Sequence, residues 1–213
     1  TEVTGSGFAC FAEEPRRGAD APEDDPAEAA MAGLQQAAGL TKITLDNAPV
    51  TDDGLVHIGK ISSLRYLRLS GTKVTDDGLV HLGNLVGLWT LDLQETQITG
   101  RGLQHLKGLV NLRKLNLDET PTDDAGLVHL KGLANLAKLS LRDTAITDAG
   151  LVHLKGLTAL TGVDLRNTAI TVAGLKHLEE LPSLKWLNLN GTRVSPEAVL
   201  EFKNVSQDPY IIW

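Results

Sequence analysis

The apolar positions of this chain fall into a fixed pattern. Leu64, Leu67 and Leu69 are spaced as LxxLxL, and the spacing returns from Leu88, Leu112, Leu136, Leu160 and Leu184, each 24 residues after the last. A weaker copy, Leu40, Ile43 and Leu45, lies 24 residues before Leu64, which makes seven units with no insertion between them. In the sixth unit Val163 takes the place of the middle Leu, a tolerable exchange in a buried strand. A second apolar set follows in each unit at spacing three, as in Leu151, Leu154 and Leu157. LxxLxL alternates as a short strand does, with its leucines on one face, whereas Leu-x-x-Leu-x-x-Leu has helical spacing. The Thr-Asp pairs ahead of the second set suit a helix N-terminus, where their oxygens accept from free N–H groups. Gly108-Leu109, Gly132-Leu133 and Gly156-Leu157 are expected to end each helix and turn the chain into the next unit. No unit can bury its apolar face alone, so a repeat of this length predicts a stacked solenoid. The fold expected is α/β: a right-handed, horseshoe-shaped solenoid of seven 24-residue strand-plus-helix units, its parallel sheet concave and its helices convex.

The polar positions repeat too. A threonine follows each leading Leu by eight residues, at Thr72, Thr96, Thr120, Thr144, Thr168 and Thr192, with Ala48 in the first copy. With its leucines, the unit matches LxxLxLxx(N/C/T)xL and resembles the leucine-rich repeat family over residues 40 to about 205. The Ile-Thr-Asp-x-Gly-Leu segment looks most like the cysteine-containing, ribonuclease-inhibitor-like branch, and like bacterial repeat proteins with Thr at the Asn/Cys position. The resemblance implies that the six threonines form a structural ladder bonding loop backbone in the adjacent unit. It also implies a non-enzymatic protein-binding scaffold. Narrower versions are an enzyme inhibitor or the substrate-recognition arm of a larger assembly such as a ubiquitin ligase. A cell-envelope or glycan-binding module is a further alternative. No cofactor is expected.

The ends depart from the repeat. Residues 1–25 read as an acidic, mobile tail, residues 26–39 as a capping helix with Asp25 as N-cap and Pro26 at its first position. Residues 40–205 form the array. Ser195-Pro196-Glu197 opens the last helix, whose apolar face continues through Phe202 and Val205, and residues 206–213, ending Tyr210-Ile211-Ile212-Trp213, are expected to fold over the last unit as a cap.

The six histidines, His57, His81, His105, His129, His153 and His177, all occupy one repeat position. A metal needs nitrogens converging to about 2.0–2.1 Å from one centre. Parallel side chains on neighbouring helices about 8–10 Å apart do not converge. A ladder flanking the core, each ring packed on its apolar side and bonded to backbone, is the expectation. Asp52-Asp53, Asp76-Asp77 and Asp123-Asp124 are carboxylate pairs, but each sits where a helix begins, so capping accounts for them. No nucleophile elbow, P-loop, dinucleotide fingerprint or His-Glu-x-x-His helix occurs, and no catalytic residue is expected.

Leucine accounts for 37 of the 213 residues, while aromatics are 4% and therefore stand out where they occur. The formal charge of −7 divides unevenly: residues 1–25 hold seven acidic and two basic side chains, a net of −5, so the rest carries −7 − (−5) = −2. A nearly balanced array argues against general nucleic-acid binding, which relies on clustered Lys and Arg. The single cysteine, Cys10, excludes an intramolecular disulfide framework. No apolar run approaches the ~18–20 residues of a membrane span, so no transmembrane segment is expected. No basic stretch leads into an apolar one at the start, so no intact signal peptide is expected, and exported and cytoplasmic locations stay open.

Between the fixed leucines the residues vary from unit to unit, and these project from the concave face. Tyr66, Lys114, Lys138 and Trp186 share one column; Arg68, Asp92, Asn116 and Asp164 share the next; Arg142 and Arg166 lie in a third, and Trp89 sits at a strand's edge. Tyr, Trp and Arg are the types that most often carry interface energy. A protein or peptide partner is therefore expected at these eleven residues, on a monomer, against the alternative of a solvated, unselected surface.

Overall fold

The computed structural model describes residues 2–4, 39–206 and 209–213. Among them nine three-residue strands form one parallel sheet in chain order. They are β1 (Glu2–Thr4), β2 (Lys42–Thr44), β3 (Tyr66–Arg68), β4 (Thr90–Asp92), β5 (Lys114–Asn116), β6 (Lys138–Ser140), β7 (Gly162–Asp164), β8 (Trp186–Asn188) and β9 (Tyr210–Ile212). From β2 to β9 the partners lie 24 residues apart, Lys42 beside Tyr66, Tyr66 beside Thr90, and so on to Trp186 beside Tyr210. The array is a solenoid of seven 24-residue units, as expected. Its core is a single apolar stack: Leu64, Leu67 and Leu69 and their counterparts through Leu184, Leu187 and Leu189 are all buried.

The convex side differs in detail from a row of α-helices. Among the described residues it carries five short α-helices: α1 (Asp52–Ile58), α2 (Asp124–Leu127), α3 (Asp148–Leu151), α4 (Val172–Leu178) and α5 (Pro196–Val205). Gly78–Leu82 and Gly102–Gly108 are 3-10 helices instead, and the 3-10 turns Val128–Leu130 and Val152–Leu154 continue α2 and α3. Apolar residues at strict spacing three, such as Leu103, Leu106 and Leu109, suit three residues per turn and are fully buried in this form.

Left-handed backbone recurs once per unit, but not at the glycines that close the helical segments. It falls just past each strand, at Asn47, Gly71, Glu95, Glu119, Asp143, Asn167 and Gly191, with φ between 55° and 74°. This turn aims each of these N–H groups, up to Asn167, at a carbonyl of the following unit, at 2.7–2.9 Å. The hydrogen-bonded ladder thereby runs beyond the strands. Gly, Asn and Asp tolerate the conformation; Glu95 and Glu119 adopt it against a cost of roughly 1–2 kcal/mol.

A second lock lies on the convex edge. Asp52, Asp76, Asp124 and Asp148 each accept two bonds from the next unit's threonine, one from its N–H at 2.8 Å and one from its hydroxyl at 2.5–2.6 Å. The Asp residues of the repeat thus staple neighbouring units rather than serving only their own helix. Capping falls to Asp123, Thr147, Thr171 and Ser195. Two staples are replaced: Val172 and Ser195 stand where the last Asp and its threonine would be, and earlier Gly100 stands where Asp would be, with Asp123 in place of its threonine. A Cβ on Gly100 would collide with the Asp123 carboxylate, so the exchange avoids two carboxylates in one place.

The ends extend the same sheet. Glu2–Thr4, expected within a mobile tail, pairs in parallel with β2 as an additional strand, because β2 would otherwise leave its N–H and C=O groups unpaired at an edge. The rest of the expected tail and the expected capping helix at 26–39 lie outside the described residues, apart from Gly39. At the other end β9 pairs with β8 and buries Ile211, while Tyr210 and Trp213 remain exposed and the Lys203 ammonium sits 5.6 Å from the Trp213 ring centre. Phe202 is buried, but Val205, expected on the same apolar face, is exposed.

Gly150 shows how closely units approach. An Ala in a helix ordinarily gains about 1 kcal/mol over Gly. Here the added Cβ would strike the Asp124 carboxylate, itself held by Thr147, and come within 3.1 Å of a Leu127 methyl. Gly150→Ala is therefore expected to lower the melting temperature. In an Asp124→Ala background it should cost less, with a coupling of about 0.5–3 kcal/mol measured by denaturant unfolding of the four proteins of the cycle.

Candidate functional site

The concave face is built by the variable residues of β2–β8, and the structure divides them into two groups. The first is tied up in the scaffold. Asp92, Asn116, Asp164 and Asn188 each use a side-chain oxygen to accept the N–H two residues on, at 3.0–3.2 Å. This local turn closes each strand, which is why Asp or Asn recurs at that column. Asp164, expected to meet a partner, is 5% exposed and gripped by Arg166, whose Nε and Nη2 bond its two oxygens at 2.7–3.0 Å. Arg142 pairs with Asp118, Glu119 and Asp143. Arg68 pairs with Asp46 at 2.8 Å and Asp92 at 3.5 Å. Burial pushes the Asp92 carboxyl above its ordinary pKa, against the lowering by the Gln94 N–H and Arg68. The three arginines expected as anchors are thus largely neutralised by carboxylates of their own chain.

The second group faces open space. Lys114, Lys138 and Lys185 are exposed and have no ion pair among the described residues. They line a trough of about 800 Å³ that runs across β4–β8, with Leu91, Leu115 and Leu139 reaching its floor and Trp186 forming one wall. Gly162 sits on the floor, where a Cβ would lie 3.4 Å from the Trp186 ring and 3.9 Å from the Lys138 stem, so its absence leaves a notch. Tyr66 and Trp89 lie to one side as an edge-on pair with centroids 6.0 Å apart, and Arg113 covers the Trp89 ring at 5.3 Å.

Of the eleven expected residues, Lys114, Lys138, Asn116, Asp92, Asp164 and Trp186 line the trough; Tyr66, Arg68, Trp89, Arg142 and Arg166 do not. Lys185 and Gly162 also line the trough, outside the eleven expected residues. Lys185 belongs to the column directly after the leading Leu (Arg65, Trp89, Arg113, Ala137, Thr161, Lys185), which varies as much as the other concave columns.

The two ladders sit away from this face. The six threonine hydroxyls, Thr72 through Thr192, are each fixed at 2.6–2.7 Å, but the acceptor is the carbonyl of the last strand Leu of the same unit, not the adjacent unit. Three residues separate donor and acceptor, so the hydroxyl seals the turn it belongs to. The histidines are half-buried beside the convex core. From His81 to His177 no ring hydrogen bond to backbone is formed among the described residues. No group of three or more His, Cys, Asp or Glu among the described residues could hold a metal ion, and no described helix is long and apolar enough to cross a membrane.

Burial holds the His153 pKa below its ordinary value, Lys131 adds to the effect, and Asp124 opposes it. The folded state therefore resists a proton that the unfolded state takes up. The stability tied to His153 is fully present above about pH 6.5 and declines as pH falls through the lowered pKa. Melting temperature is expected to drop between pH 7.5 and 5.5, and His153→Gln should flatten that drop; equal slopes would refute this origin.

Comparison with known proteins places the repeat. Two leucine rich repeat family models match, over residues 134–194 and residues 60–83. No curated protein matches the sequence. Among solved structures the fold is similar to internalin C2 of Listeria monocytogenes, with 29% identity and a TM-score of 0.70 over 85% of this chain and 74% of that one. Neither finding supports the ribonuclease-inhibitor-like branch in particular. The period, the parallel sheet and these matches together make the chain a member of the leucine-rich repeat family.

Proposed function

We propose that this chain is a non-enzymatic scaffold that binds a protein or peptide partner on the concave face of its sheet. The observation that carries the reading is the trough across β4–β8: an open, partly apolar depression with an aromatic wall, lined mostly by the variable residues of the strands, with the fixed leucines nearly covered beneath them. Trp186 and, beside the trough, the half-exposed Tyr66 and Trp89 supply the rigid aromatic area that interfaces use as anchors. Asp92, Asn116, Asp164, Arg68, Arg142 and Arg166 contribute differently from the anchors: their mutual bonds hold the surface in one shape before a partner arrives. A preshaped surface loses less freedom on binding.

The test compares wild type with the Tyr66→Ala/Trp186→Ala variant as bait, followed by mass spectrometry of captured proteins. Partners retained by wild type should be lost by about tenfold or more on the variant, in line with removal of two aromatic anchors. The melting temperature, measured alongside, should change little. Undiminished capture by the variant would refute a concave site.

A further inference from the structure

The trough holds three lysines, Lys114, Lys138 and Lys185, with no ion pair among the described residues, in an array whose net charge outside residues 1–25 is only −7 − (−5) = −2. Every arginine of the three central columns is spent on a carboxylate of the same chain. The carboxylates within the trough are spent as well: Asp164 is gripped by Arg166, and Asp92 accepts the Gln94 N–H and faces Arg68. Lys114, Lys138 and Lys185 remain, from three different units, with no ion pair among the described residues. Lys114 and Lys138 stand on adjacent strands in direct register, two like charges side by side, which is unfavourable until an anion arrives.

The notch at Gly162 lies against the Lys138 stem and the Trp186 ring. It is apolar on two sides and open to the trough, with room for about a methyl group before contact with the Trp186 ring, so it suits the tip of an aliphatic side chain next to an acidic one. On the proposed concave-face reading, on which this inference rests, we infer that the partner presents an acidic segment. Its carboxylates meet Lys114, Lys138 and Lys185, and one apolar side chain enters the notch between Gly162 and Trp186.

Lysine ammoniums on flexible stems accept carboxylates in several geometries, which suits a peptide read by charge rather than by fixed forks. The three exposed lysines set a local positive field, which directs such a segment to the trough. A nucleic acid would need phosphate contacts over a longer basic track than three lysines flanked by acidic residues provide.

The experiment is selection of 12-residue peptides from a displayed random library on immobilised full-length chain. Binding of the selected peptides is then measured by fluorescence anisotropy against wild type, Lys114→Glu/Lys138→Glu and Trp186→Ala. The substituted lysines are exposed, so the charge-reversal variant should melt like wild type. A 20-nucleotide single-stranded RNA is measured in parallel. The inference expects selected peptides rich in Asp and Glu with an apolar residue among them. It expects about tenfold or greater loss of affinity on charge reversal, loss on Trp186→Ala, and weakening as salt rises from 50 to 300 mM, each as required of desolvated charge pairs and an anchor. Neutral or basic peptides that still lose affinity on Trp186→Ala would overturn the acidic partner while leaving the concave site standing. Peptides indifferent to every concave substitution would overturn both. Selection that enriches nothing on wild type beyond the charge-reversal variant, or RNA bound more tightly than any peptide, would overturn the acidic partner.

Discussion

The lateral contact between one unit and the next is what everything else in this chain depends on. A single unit offers a three-residue strand, one short helical segment and a few leucines, too little to cover its own apolar face. Leu67, Leu91 and Leu115 are buried because each lies between the middle residues of the strands on either side. The polar contacts follow the same rule. The left-handed residue after each strand from β2 to β7 donates to the next unit's carbonyl, and Asp52, Asp76, Asp124 and Asp148 accept from the next unit's threonine. Both locks need units of equal length, because one extra residue would move every donor away from its acceptor. The unbroken 24-residue period is the trace of that constraint.

The same constraint shapes the surface. Since the stack occupies the leucine positions of each strand, variation on the concave face falls in the columns between them. Part of that variation is again spent on the scaffold. Asp92, Asn116 and Asp164 close their strands, and Arg68, Arg142 and Arg166 neutralise neighbouring carboxylates. What is left over is small and specific in position: three lysines, Trp186, and the space where Gly162 has no side chain. A surface of mixed charge in the sequence becomes, in three dimensions, a paired framework around an unpaired basic trough.

The fold was legible because its signal is repeated: Leu64, Leu67 and Leu69 recur too regularly to be read otherwise. The binding face was legible only as columns. Sequence spacing assigns Asp164 to the concave side, but not that Arg166, two residues on, closes over it and removes it from reach. The threonine ladder was placed at the right positions with the wrong acceptor, because a hydroxyl three residues after a carbonyl can reach it within one turn. Charge counts are equally blind to pairing, so Lys138 and Arg142 look alike in sequence and differ in the structure. Glu2–Thr4 was hidden for another reason: a three-residue strand in an acidic stretch has no period of its own, and only the exposed edge of β2 gives it a partner.

If lateral contacts of equal-length units govern this protein, an added unit should be accepted as a native one. Duplicating residues 136–159 in tandem keeps the phase and sets the first copy's Asp148 opposite the second copy's Thr147, reproducing the staple. Thermal unfolding of that chain is the most direct measurement. The account predicts a single cooperative transition at or above the melting temperature of the parent, since nearest-neighbour interfaces are added and none is lost. A transition several degrees lower, or loss of cooperativity, would contradict it.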